Sequence, residues 1–509
     1  MPPPPGHRFA ARQAPELPPV LCRVRAFGIA SALLVCALLP IQGSAGARWR
    51  ALAALERSGA QVSASAIDLQ SGRLIEQLNG QTRLTPASLT KLTTAAVALA
   101  TWPADRMFQT RLMSAATVRN GILEGDLILQ GAGDPSLDDH SLWTLAAQLR
   151  GTGVTAVRGR LLVEPAPFGI VACETADRCN AQIRSDNAYN APLAAVGVDF
   201  GTWCVRVRAT LPGTPALVRG CGVSDLPVPI EGLIRTVANG SRQTFWIERV
   251  TIAQGDRLRI GGDIPAGEQQ EVYRAMSDPA RGVGLLLKET LREIGIGIEG
   301  PVLVGAQDLA ADAQVLAEVE GLTLREQLGR MLRFSNNYIA DVLTLDLAAG
   351  ALQSSPMTLA GAGQLLSDFV ARMQPPHAGA APGPLLLSGS GLTDENRLSA
   401  NDLVGLLAHE YRDTRHFPAF YGALVVPRDA PFAFLRGGSS AWLDRVALKT
   451  GTMEEPLSVC GIAGYLRKRD GGWIAFAAIV NGSPRKPHVP HTTALQAEHA
   501  DLDALLQEY

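Results

Sequence analysis

Two lysines, Lys91 and Lys449, stand out because lysine is scarce in this chain. Of 46 basic residues only five are lysine, the others being Lys288, Lys468 and Lys486. Arginine keeps its proton in a protein, whereas a lysine of lowered pKa can give it up. Lys91 closes the group Ser88-Leu89-Thr90-Lys91, and Lys449 opens Lys449-Thr450-Gly451-Thr452. A lysine three residues after a serine is placed as a base beside a nucleophile. Alone, the pair is weak: Lys91 would as readily be an exposed helix lysine and Ser88 a helix cap. A third polar group, Ser335-Asn336-Asn337, lies between the two and by itself would be an ordinary loop. Lys449-Thr450-Gly451 by itself would be an edge-strand turn.

The elements around these groups can be read from the pattern. Residues 62–68 alternate small and apolar side chains and predict a strand; Gln70-Ser71-Gly72 is a turn, and residues 74–78 predict a second strand. Thr85-Pro86 opens a helix that carries Ser88 and runs to about residue 100, proline being suited to a first turn. Ser88 and Lys91 then share one helical face. A serine near a helix start also lies close to backbone N–H groups that favour negative oxygen. From 108 to about 274 short β-like runs (127–129, 159–163, 205–209, 245–250, 257–260) alternate with glycine and proline turns, predicting a β-rich inserted region of one or two subdomains. Helices return at 279–294 and 324–348, with Ser335 inside the second or at a break in it. Strands follow near 446–452, 459–467 and 474–480, and residues 374–383 form a Pro/Ala/Gly loop.

Composition narrows the partners. At 509 residues the chain exceeds one core, and two or three domains are expected. A net charge of −2 with no long basic run gives no footprint for nucleic acid. The first 47 residues carry Arg8, Arg12, Arg23 and Arg25, an apolar stretch at 26–39 and the small-residue site Ala45-Gly46-Ala47, the make-up of an export signal. Left uncleaved, the same segment would give peripheral membrane association. Export permits disulfides, and Cys173–Cys179 and Cys204–Cys221 are open to them, though four cysteines allow three pairings. Their spacing fits no zinc pattern and no histidine accompanies them, so no metal is expected. Cys460, in an apolar run, is expected to be buried.

Taken in order, Ser-x-x-Lys, Ser-x-Asn and Lys-Thr-Gly resemble the motif set of serine-acylating, penicillin-recognising enzymes. The text around them resembles a narrower group, the class C low-molecular-mass penicillin-binding proteins of the D-alanyl-D-alanine carboxypeptidase/endopeptidase family. The likeness rests on Pro86-Ala87, on residues 125–135 (Gly-Asp-Leu-Ile-Leu-Gln-Gly-Ala-Gly-Asp-Pro), on Tyr189-Asn190-Ala191-Pro192, and on Ser390-Gly391-Leu392 followed by Asn396-Arg397-Leu398-Ser399. Gly461 to Tyr465 and Val480-Asn481-Gly482 extend it over nearly the whole exported chain. The long separation of Ser88 from Ser335 matches the family's insertion between those motifs.

The resemblance implies an α+β fold (α/β sandwich), an antiparallel sheet flanked by helices, with the peptidase domain split into 48–107 and 275–509 around the insertion 108–274. It implies a periplasmic or otherwise extracytoplasmic D,D-peptidase that needs no cofactor, acts on peptidoglycan stem peptides and is acylated by β-lactams. Ser88 would be the nucleophile, Lys91 its base and Ser335 a proton relay. Asn337, Lys449, Thr450 and Gly451 would bind substrate, and the backbone N–H groups of Ser88 and Thr452 would form the oxyanion hole. Two departures are visible. Ser388 stands where the family usually has aspartate, and Met453-Glu454-Glu455-Pro456 makes a longer, more acidic turn, expected to disfavour acidic stems. A β-lactamase and a silent peptidoglycan-binding protein are the competing readings. Against the first, no glutamate motif for rapid deacylation is recognisable.

Overall fold

The computed structural model describes residues 49–305, 313–353, 357–373 and 382–509. The expected leader, 1–47, and most of the 374–383 loop lie outside them. At the centre is a five-stranded antiparallel sheet in the order Leu74–Leu78, Gln61–Asp68, Trp473–Asn481, Val459–Arg467, Val446–Met453. Side chains of the two inner strands Trp473–Asn481 and Val459–Arg467 alternate between two apolar cores. Ala463, Tyr465, Ala475, Ala477 and Ile479 enter a core shared with helices Thr90–Thr101, Leu324–Arg333, Asn337–Leu352 and Ala400–Arg412. Ile462, Leu466, Ile474, Phe476 and Val480 face the other way, against helices Arg50–Arg57 and His491–Glu508. A strand covered on both faces reads as a continuous apolar run, and that is why these two do. The result is the expected helix–sheet–helix sandwich. Alanines dominate on the first face, which lets that helical layer lie close to the sheet. On the second face Asp501 accepts from the N–H groups of Ala51 (3.0 Å) and Leu52 (2.9 Å), satisfying donors that a helix start leaves free.

The chain leaves this sandwich after helix Thr90–Thr101 and builds the inserted region. Five strands form a mixed sheet in the order Val302–Val304, Leu161–Glu164, Leu127–Gln130, Gln109–Ser114, Gln314–Glu320. Helices Asp139–Gly151 and Pro279–Glu293 pack with it in a separate core. The sheets therefore continue past residue 274, where the sequence pattern suggests a boundary. Strand Gln314–Glu320 pairs with Gln109–Ser114, and such distant pairing leaves no local mark in the sequence. Further strands, among them Thr202–Arg208, Trp246–Ile252 and Gly255–Gly261, make a second β layer. Of the three pairings open to the cysteines the fold takes Cys173–Cys179 and Cys204–Cys221. Cys460 is buried, its thiol 3.5 Å from Glu498 Oε2.

Two local features place the polar motifs. The serine segment starts as a 3₁₀ turn, Ala87–Leu89, before the α-helix begins at Thr90. The expected 324–348 helix is broken: Leu324–Arg333 ends, Ser335 takes a left-handed φ of 57°, and Asn337–Leu352 starts afresh. Asn336 caps the new helix by accepting from Ile339 N–H at 2.9 Å. Among the described residues no helix is long and apolar enough to cross a membrane.

Edge strand Val446–Met453 lies directly against the 3₁₀ turn. A Cβ on Gly451 would sit 2.6 Å from the Pro86 carbonyl oxygen and 3.2 Å from Leu89 N. Gly451→Ala should therefore force the strand away from the serine segment. We expect a folded protein destabilised by about 1–3 kcal/mol, the usual range for overpacking, and slower labelling by penicillin of the serine that the resemblance makes the acylated one, Ser88. Thermal melting and a labelling time course would check both; an unchanged labelling rate would contradict the close-approach argument.

Candidate active site

Ser88, Lys91, Ser335, Asn337 and Lys449, far apart in sequence, meet at the junction of the 3₁₀ turn, the Asn337 helix and the edge strand. Lys91 is fully buried. Its Nζ lies 2.9 Å from Ser88 Oγ, 2.7 Å from Asn337 Oδ1 and 2.6 Å from the Ser390 carbonyl oxygen. The last two can only accept. A neutral amine has two N–H groups for them and one lone pair left, which faces the serine hydroxyl. Burial pushes the Lys91 pKa well below that of an ordinary lysine, and the nearby Lys449 charge pushes it further. Asp341 acts against this, and Arg178 acts with it.

Lys449 is 1% exposed, and its Nζ donates to Ser335 Oγ (3.0 Å) and to the Thr450 carbonyl (2.6 Å). Burial lowers its pKa to about 7. Ser335 and Lys449 thus form a second hydroxyl–amine pair beside the first. The left-handed backbone at Ser335 turns its side chain from the helix end toward Lys449.

The edge strand also presents backbone donors. Leu448 exchanges two 2.9 Å hydrogen bonds with Val425 on the side away from strand Val459–Arg467. Backbone groups repeat every second residue along a strand, so Thr450 and Thr452 aim their N–H groups off the same open edge. Ser88 lies in the first turn of its segment, where N–H groups lack an intrahelical partner.

Several supporting contacts carry no signal in the sequence. Tyr189 accepts from Asn337 Nδ2 through its carbonyl (3.1 Å) while its ring is 53% exposed. The Ser390 N–H donates to Asp341 Oδ1 at 2.8 Å. Tyr189 and Ser390 belong to stretches on which the family resemblance rests, so the sequence pointed to the place but not to the contact. Ser388, the departure from the family aspartate, is buried and accepts from Gly391 N–H at 3.1 Å, which closes the tight turn before Leu392. Gly391 has φ 78°, and a Cβ there would meet the Ala87 carbonyl oxygen at 1.9 Å, so the Ser390–Gly391 turn lies hard against the serine segment. Glu454 and Glu455 are exposed beyond Thr452; burial lowers the His491 pKa, and the nearby Glu454 charge only partly opposes this.

A buried lysine against a serine hydroxyl, in a helix–sheet–helix sandwich, defines a serine acyl-transfer enzyme of the penicillin-binding type. The chain matches the D-Ala-D-Ala carboxypeptidase 3 (S13) family over residues 49–504 and belongs to it. It is accordingly a serine D,D-peptidase, of the class C low-molecular-mass group whose text it resembles. A D-alanyl-D-alanine carboxypeptidase of Actinomadura sp. (strain R39) is 29% identical over 446 residues, 83% of this chain and 78% of that protein. D-alanyl-D-alanine carboxypeptidase DacB of Haemophilus influenzae is 25% identical over 434 residues, 83% of this chain and 86% of the relative. The crystal structure of penicillin binding protein 4 from the same organism superposes with a TM-score of 0.71 at 20% identity, covering 90% of this chain and 99% of that one.

Because lysines are few, their titration can be followed one by one. In protein labelled at lysine Cε and Nζ, Lys449 should titrate near pH 7 and Lys91 well below the ordinary lysine range. Lys468, paired with Asp68 at 2.8 Å, should hold its proton above the ordinary lysine value. Signals for Lys91 and Lys449 that move only near pH 10 would show that both amines are charged at neutral pH.

Proposed function

We propose that Ser88 is the nucleophile of this D,D-peptidase and Lys91 its general base. The observation that carries this reading is the three-way hold on Lys91 Nζ, which leaves a neutral amine's lone pair for the Ser88 hydroxyl. As Ser88 Oγ attacks the carbonyl between two D-alanines, its proton passes to Lys91. Negative charge then grows on the carbonyl oxygen, where the N–H groups of Ser88 and Thr452 would receive it. Ser335 relays a proton to the leaving amine. Lys449 and Thr450 hold the terminal carboxylate, which supplies the counter-charge that the buried Lys449 otherwise lacks, and Gly451 gives the peptide access to the strand. Asn337 binds the substrate backbone. Water then cleaves the acyl-enzyme with Lys91 again as base.

We place the substrate among peptidoglycan stem peptides and their cross-links, and the enzyme in the periplasm, reached through the leader at 1–47. The two disulfides support an oxidising compartment. β-Lactams, as D-Ala-D-Ala mimics, should acylate the same serine; the Haemophilus influenzae penicillin binding protein 4 has been solved complexed with a β-lactam. We assign the peptidase domain to the sandwich, with the β-rich insertion contributing Tyr189 and Arg178 to the groups around its site.

Fluorescent penicillin tests the chemistry. Wild type should give a covalent band on a denaturing gel, and Ser88→Ala none. Lys91→Met should slow labelling by roughly 10²–10⁴, the usual worth of a positioned base. Fast loss of free penicillin without a band would favour a β-lactamase. Neither signal from folded protein would favour a silent wall-binding protein.

The acidic turn gives a specificity prediction. Glu454 and Glu455, exposed at the cleft end of the edge strand, should repel stems that carry a free side-chain carboxylate. Changing both to glutamine should raise kcat/KM on free-acid stems relative to amidated ones by a few-fold, as expected for screened surface charges. An unchanged ratio rules the idea out.

A further inference from the structure

Both acceptors that hold Lys91 Nζ are themselves held from the inserted region. Asn337 is fixed by the Tyr189 carbonyl. The Ser390 peptide is fixed by Asp341 Oδ1, and Asp341 Oδ2 is paired at 2.6 Å with Arg178 Nη2. Arg178 lies on helix Ala176–Ile183 of the insertion, next to Cys179 of the Cys173–Cys179 bridge. It also donates through Nη1 to the Ala191 carbonyl, two residues from Tyr189. Arg178 is 2% exposed and Asp341 0%. A buried ion pair of this kind is weak evidence for stability, because desolvating both charges offsets their attraction. Its position asks for another explanation.

We propose that helix Ala176–Ile183 is a positioning element for the catalytic lysine, acting through Arg178, Asp341 and the Ser390 peptide. This rests on Lys91 being the base assigned above. Two tasks are combined. Asp341 anchors residue Ser390 through its N–H, and with it the adjoining Ser390 carbonyl that meets Lys91 Nζ. Arg178 neutralises Asp341, so that the carboxylate does not draw a proton onto the amine. The charged groups that act on Lys91 are Lys449 from the edge strand, Asp341 from the Asn337 helix and Arg178 from the insertion. Lys449 and Arg178 both favour the neutral amine; Asp341 alone opposes it. Removing Arg178 therefore tips the balance toward the charged, catalytically idle form.

The test is the pH dependence of Ser88 acylation by fluorescent penicillin. Its acid limb reports loss of the neutral base. Arg178→Met should move that limb to higher pH and, at a pH on the limb itself, slow acylation by about tenfold for a shift of one pH unit. Asp341→Asn removes the opposing charge and should move the limb to lower pH. The double variant Arg178→Met/Asp341→Asn should return it toward wild type. A purely structural pair would lower the melting temperature in all three variants and leave the limb in place; that result would overturn the proposal. If Arg178→Met does not fold, Asp341→Asn decides, and an unmoved limb overturns the proposal equally. A wild type that is never labelled would instead overturn the assignment of Ser88 and Lys91 themselves.

Discussion

A lysine buried with its amine against a serine hydroxyl, its charge disfavoured by that burial, is the constraint around which this enzyme is arranged. Burial alone would lower its pKa, but a neutral amine still has two N–H groups and a lone pair to satisfy. Here the N–H groups meet Asn337 Oδ1 and the Ser390 carbonyl, leaving the lone pair toward Ser88. Three separate stretches of chain must therefore converge within hydrogen-bond reach of one atom. The sandwich provides that convergence: the serine segment, the Asn337 helix and the Ser390 turn all pack on the alanine-rich face of one sheet.

Close approach is the second requirement, and small residues meet it. A side chain at Gly451 would strike the Pro86 carbonyl, and one at Gly391 the Ala87 carbonyl. The serine segment is thus clamped between an edge strand on one side and the Ser390–Gly391 turn on the other. The clamp holds the segment that carries Ser88 against the strand that carries Lys449 and Thr452. Glycine is used at these two places because a backbone must pass where any Cβ would collide.

Much of this was legible in the sequence because the chemistry uses rare residue types at short spacing. Lys91 and Lys449 are conspicuous in an arginine-rich chain, and Ser88 stands one helical turn from Lys91. The inner strands announced themselves as apolar runs, and the break at Ser335 was foreseeable from polar residues inside a helical pattern. What could not be read is long-range pairing. Gln314–Glu320 completes a sheet begun at Gln109–Ser114, and neither segment alone says so. Arg178, Asp341 and the Ser390 carbonyl escaped for the same reason: an arginine on a short helix and an aspartate on a long one look like surface charge until the fold buries them together.

The insertion then takes on a different meaning. A module joined to a catalytic domain at its surface would leave the site's internal hydrogen bonds unchanged. This one passes a guanidinium into the interior and sets a carbonyl at its edge, and the two hold groups that hold Lys91. Its sheets also run on past residue 274, so the chain returns to the sandwich only after completing them. The order Ser-x-x-Lys, insertion, Ser-x-Asn is then a structural sequence as well as a motif sequence. The nucleophile segment is laid down first, and the insertion follows. The Asn337 helix arrives last, to receive contacts from both.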